Sequence, residues 1–156
     1  MERHTKNGSN GHFKNSKNKR GSENMKKQKV LIVDDEPLNI ELMEGILSKD
    51  YEVIKASSGI EALIKVEKTL PDLILLDVMM PNMNGYSVCK NLKSSNKTKS
   101  IPVVMITALK EHEDKMKAIE AGADDFVSKP IEIRELGVKL RSLLKAKNQY
   151  FSVPAA

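Results

Sequence analysis

The 156-residue chain has no tryptophan, only one cysteine, and no apolar run near the roughly 18 residues that a membrane-spanning helix needs. The lone Cys89 rules out an intramolecular disulfide and suits a reducing compartment, so a cytoplasmic protein without a membrane partner is expected. The first 28 residues contain no leucine, isoleucine or valine. They have too little to bury to offset the entropy of ordering, and residues 1–28 are expected to be a disordered basic tail, a tag or an upstream leader. His4 and His12 within it are too isolated to suggest a metal site.

Net positive charge is also missing beyond that tail. The whole chain carries +5, but residues 1–28 hold eight Lys/Arg against two Glu, which leaves residues 29–156 at −1. The remainder has no general attraction for a polyanion, and direct nucleic-acid binding by it is not expected. The length suits one domain with a full core, here residues 29–147, followed by a linker stub at 148–156.

What the chain does have is alternation. Val30–Val33 is a short, continuous β-branched and apolar run, as in a parallel strand buried on both faces. A helix is predicted over 37–49, with Pro37 in the first turn and Leu38, Leu42, Met43, Ile46 and Leu47 at helical spacing. The pattern then repeats. Strands are expected at 52–56, 72–77, 103–107 and 125–128, and helices at 58–69, 85–94, 111–121 and 132–147. Ile60, Leu63 and Ile64 are expected to face inward from the second helix, and Ile133, Leu136, Leu140, Leu143 and Leu144 from the fifth. Gly122 suits a left-handed cap after the fourth. Strict βα alternation with short right-handed crossovers predicts an α/β fold, a doubly wound five-stranded parallel sheet of flavodoxin-like order 2-1-3-4-5. Ligands of such sheets bind at the carboxyl ends of the strands, beside the switch between strands one and three.

Chemistry-bearing residues collect at those ends: Asp34 and Asp35 after strand one, Asp77 after strand three, Thr107 after strand four and Lys129 after strand five. Three carboxylates in one cleft must protonate or bind a hard cation such as Mg²⁺ or Mn²⁺. A lysine and a hydroxyl beside them can hold phosphoryl oxygens, and the Asp77 carboxylate can act as nucleophile. Taken singly, each residue has an ordinary reading as a cap, a turn former or a surface ion-pair partner. Their joint arrangement overturns those readings.

Val33-Asp-Asp-Glu-Pro37, Leu76-Asp-Val-Met-Met-Pro-Asn-Met-Asn-Gly85, Ile106-Thr-Ala108 and Ser128-Lys-Pro130 together closely resemble the response-regulator receiver family of two-component signalling, over residues 29–147. The resemblance implies a phosphorylation-activated switch rather than a conventional enzyme, one that assists its own phosphorylation and dephosphorylation. Asp77 would accept a phosphoryl group from a sensor histidine kinase or histidine phosphotransfer protein. Asp35, Asp77 and the Met79 backbone carbonyl would ligate Mg²⁺, with Asp34 acting mainly through a metal-bound water. Lys129 would hold the phosphoryl group, with Lys129-Pro130 cis, and Thr107 would move toward that group when it arrives. Phe126 matches the family's switch aromatic, whose inward turn would remodel the face of helix four, strand five and helix five, where a second copy could dock. Met79 and Leu109, at positions that tune hydrolysis, are apolar and predict slow spontaneous dephosphorylation. Helix-one residues such as Asn39 and Met43 would help select the kinase.

Three other functions fit less well. A phosphatase of the haloacid-dehalogenase type needs a second aspartate two residues after its nucleophile, where this chain has Met79. A flavin or nucleotide carrier presents an amide-rich loop where Asp34-Asp-Glu36 would repel phosphate. A degenerate receiver acting only as an interaction module would not need every phosphorylation position filled by the expected residue type.

Overall fold

Successive residues of a strand face opposite sides of a sheet, so a run that is apolar at every position demands cover on both sides. The computed structural model, which describes residues 26–108 and 112–152, supplies that cover. In chain order the elements are β1 Gln28–Val33, α1 Pro37–Leu47, β2 Tyr51–Ala56, α2 Gly59–Thr69, β3 Leu73–Asp77, α3 Gly85–Lys93, β4 Val103–Thr107, α4 His112–Glu120, β5 Asp125–Ser128 and α5 Ile133–Ser152. The five strands are parallel and lie in the order β2-β1-β3-β4-β5, as the alternation predicts.

The strand residues divide between two cores. Leu31, Val33, Ile74, Leu76, Val103 and Met105 pack with α2, α3 and α4 through Ala62, Val66, Val88, Cys89, Leu92 and Ala118. Their neighbours Val30, Ile32, Leu73, Leu75, Val104 and Ile106 pack with α1 and α5 through Met43, Leu47, Leu136, Leu140 and Leu144. Cys89 is fully buried in the first core, and burial pushes its thiol up to about 11, which makes it a small hydrophobe at neutral pH.

Local signals explain the joints. Ser58 caps α2 by accepting the Glu61 N–H at 3.1 Å, while the Glu61 carboxylate accepts the Ser57 N–H at 2.7 Å and the Ser57 hydroxyl at 2.9 Å. Gly122, at φ +91°, ends the α4 segment in the left-handed region, as expected of glycine there.

Several expected details are corrected. Ile60, Ile64 and Ile133 are exposed rather than inward, and Leu38 and Leu42 of the apolar stripe on α1 are exposed as well. α2 buries Gly59, Ala62 and Val66 instead, and it lies so close to α3 that a Cβ at Gly59 would stand 2.8 Å from Val88 Cγ2. Met43 is buried, so it cannot serve as a surface determinant. The expected tail reaches too far, since Gln28 already pairs with Tyr51 in the sheet. α5 continues to Ser152, past the expected end at Lys147, because no glycine or proline interrupts the chain before Pro154. Residues 1–25, 109–111 and 153–156, and with them the expectations for the rest of the tail, for Leu109 and for the end of the stub, lie outside the described residues.

Candidate functional site

Parallel strands β1, β3, β4 and β5 end side by side, and each ends in or just before a polar residue singled out from the sequence. Asp34 and Asp35 follow β1, Asp77 and Thr107 are the last residues of β3 and β4, and Lys129 follows β5. One carboxylate oxygen each from Asp34, Asp35 and Asp77 lie within 4.8 Å of one another. Asp34, Asp77 and Thr107 are buried, and Asp35 is half-buried. Lys129 Nζ stands 3.0 Å from Asp77 Oδ1. Its backbone N–H donates to the Thr107 carbonyl at 2.8 Å, which ties the end of β4 to the lysine. The Lys129-Pro130 peptide is cis.

Asp34 accepts the Glu36 N–H at 3.0 Å, so one of its oxygens is held by the turn into α1. Burial raises the Asp77 carboxyl above its ordinary 3.8, the Lys129 hydrogen bond and charge pull it back, and Asp34 and Asp35 add to the rise. A hard divalent cation is the group this donor set fits: oxygen ligands only, crowded together, with negative charge in excess.

Gly85 brings α3 up against this site. Its N–H donates to the Val78 carbonyl at 2.9 Å, and a Cβ there would collide with the Asp77 carbonyl oxygen and come within 2.9 Å of Val78 Cα. The Met79 side chain points away into solvent, 63% exposed. Beside the carboxylates, a cleft of about 340 Å³ opens between α1 and the β5–α5 connection, lined by Asp34, Leu42, Met43, Ile106, Lys129 and Pro130. Phe126 does not join the carboxylates. It lies half-buried on β5, packed against the core beneath α4, with Lys115 Nζ 5.5 Å and Lys139 Nζ 5.4 Å from its ring centroid. Those two lysines were not singled out from the sequence, because nothing in their local spacing distinguishes them from solvated helix residues.

The model of the response regulator receiver domain matches residues 30–141, most of the chain. The chain belongs to the response-regulator receiver family. Receiver domains are switches of two-component signalling. This receiver is 46% identical over 120 residues to the response regulator PleD of Caulobacter vibrioides, a match that covers 76% of this chain and 26% of PleD. The chain spans about half the length of other relatives, 49% in the case of the alkaline phosphatase synthesis transcriptional regulatory protein PhoP of Bacillus subtilis. Among solved structures it resembles the receiver domain of the sensor histidine kinase PA1611 of Pseudomonas aeruginosa, which holds a magnesium ion coordinated in its active-site cleft. That likeness has a TM-score of 0.71 at 28% identity and covers 76% of this chain and 98% of the other. Among the described residues of this receiver, no helix is long and apolar enough to cross a membrane.

Proposed function

We propose that Asp77 is the phosphoacceptor of this receiver and that a phosphohistidine of a sensor kinase or phosphotransfer protein is the donor. The observation that carries this reading is the buried Asp77 carboxylate, crowded by Asp34 and Asp35 and paired to Lys129 at 3.0 Å. An Asp77 oxygen attacks phosphorus, the N–P bond of the phosphohistidine breaks, and the imidazole leaves and takes up a proton. Mg²⁺ or Mn²⁺, held by Asp34, Asp35, Asp77 and the Met79 carbonyl, supplies charge neutralisation when bound. Lys129 moves from pairing with Asp77 to pairing with a phosphoryl oxygen. The Thr107 hydroxyl donates to another, and its displacement makes room for Phe126 to turn inward.

The cleft between α1 and the β5–α5 connection offers the donor imidazole a way in beside exposed Leu42 and Ile133. The inward turn of Phe126 reshapes the face built from α4, β5 and α5, and a partner or second copy that prefers the new shape shifts the population toward it. The chemistry belongs to a phosphoacceptor in the cytoplasm that promotes its own phosphorylation rather than to an enzyme with turnover.

Intact-mass spectrometry after incubation with acetyl phosphate is the test. One phosphoryl adduct is expected, dependent on Mg²⁺ and absent from Asp77→Asn. A folded chain that gains no adduct from acetyl phosphate or from a phosphohistidine donor would be an interaction module independent of phosphorylation.

A further inference from the structure

Phe126 is held from both neighbouring helices. Lys115 of α4 and Lys139 of α5 each place an ammonium over its ring, at 5.5 Å and 5.4 Å from the centroid. Both distances are within the range where a cation is attracted to an aromatic face. Lys139 is itself fixed: its Nζ donates to the Phe126 carbonyl at 2.7 Å and to Asp125 Oδ1 at 3.1 Å, and it lies 3.7 Å from Glu135 Oε2. The ring therefore meets one ammonium anchored to its own backbone and a second on the exposed Lys115.

We infer that Lys139 and Lys115 form a latch that keeps Phe126 in the half-buried position it occupies here and so sets how much of the unphosphorylated chain occupies the active conformation. The inference rests on the reading of Phe126 as the switch aromatic. A ring turned away from this position would give up both ammonium contacts, so the latch favours the position seen here. A contact made in one of two states shifts the equilibrium between them by its own strength. Lys115 and Lys139 are positioning residues, remote from the phosphoryl group.

Fluorine NMR of the full chain carrying 4-fluorophenylalanine tests this, because its phenylalanines are only three, Phe13, Phe126 and Phe151. The Phe126 line of the native chain is expected to move on phosphorylation by acetyl phosphate and Mg²⁺. In Lys139→Met the resting line should already lie part-way to that position, with initial phosphorylation faster by about two- to fivefold. Lys115→Met, at an exposed position that leaves the fold intact, should shift the line the same way by less. Lys139→Arg should keep the native line, since a guanidinium also sits over aromatic rings. Native resting lines and rates in both methionine variants, in a chain whose own line moves on phosphorylation, would overturn the latch. A native line that stays still while mass spectrometry records the adduct would instead remove the switch reading, and the latch with it.

Discussion

At the amino end of the sheet, Asp124 accepts the Val103 N–H at 2.8 Å and lies 2.9 Å from Lys93 Nζ, and Asp72 accepts the Lys29 N–H at 2.7 Å. At the carboxyl end, Asp34, Asp35 and Asp77 crowd within 4.8 Å of one another, with the Lys129 ammonium 3.0 Å from Asp77. The same residue types thus do opposite work at the two rims. Lys93 also donates to the carbonyls of Ile101 at 2.8 Å and Lys99 at 3.1 Å, which closes the loop that leads into β4. One rim joins the secondary structure, while the other gathers like charges whose mutual repulsion a bound cation would relieve. Stability and function are separated by the length of a strand.

Breaking the satisfied rim should cost most. Lys93→Met removes a charge-assisted set of bonds from a side chain that is 18% exposed, and urea denaturation should show a loss of about 2 kcal/mol, with phosphorylation of the surviving folded chain unchanged. The crowded rim should respond in the other direction. Asp35→Asn removes one of three like charges, so without divalent metal the variant should be more stable than the native chain by about 1 kcal/mol. Adding Mg²⁺ should raise the melting temperature of the native chain and do so far less for the variant. A variant less stable than the native chain in the absence of metal would contradict the contrast between the rims.

The smallest effect lies at Glu61, a carboxylate near neither rim's aspartates. The Ser57 N–H, then Lys65 and the Ser57 hydroxyl, hold its carboxyl down at about 2, against an ordinary 4.5. A depressed folded value means stability that is present above 4.5 and lost as pH falls through about 2. Because the group is exposed, Glu61→Gln should cost at most about 0.5 kcal/mol at pH 7, and the difference from the native chain should close as the solution is acidified over that window.

Sheet order and the gathering of Asp34, Asp35, Asp77, Thr107 and Lys129 at one rim were legible because each of β1, β3, β4 and β5 is a short apolar run with a polar residue at or just past its end. Side-chain direction on the helices was harder to read. Ile60 and Ile64 look like core residues by type, yet α2 packs through Gly59, Ala62 and Val66, and only the distance to α3 makes small residues the better choice. Leu42 and Ile133 likewise fit an apolar stripe wider than the strip the sheet covers, and they border the cleft instead. Asp72 and Asp124 gave no sequence signal beyond their place at strand starts. Their partners Lys29 and Lys93 lie 43 and 31 residues away, so only the assembled sheet reveals the pairing. The two lysines over Phe126 were hidden for the same reason.

The division of strand side chains between two cores makes the sheet a bulkhead one residue thick. Among the described residues, the buried side chains on the α1 and α5 side form one cluster and those beneath α4 another, with the hydrogen-bonded backbone of the sheet between them. The wall stops at its rims and at the β5 edge, where Lys139 of α5 reaches the Phe126 ring. A group seated where β1, β3, β4 and β5 end would lie within reach of both compartments.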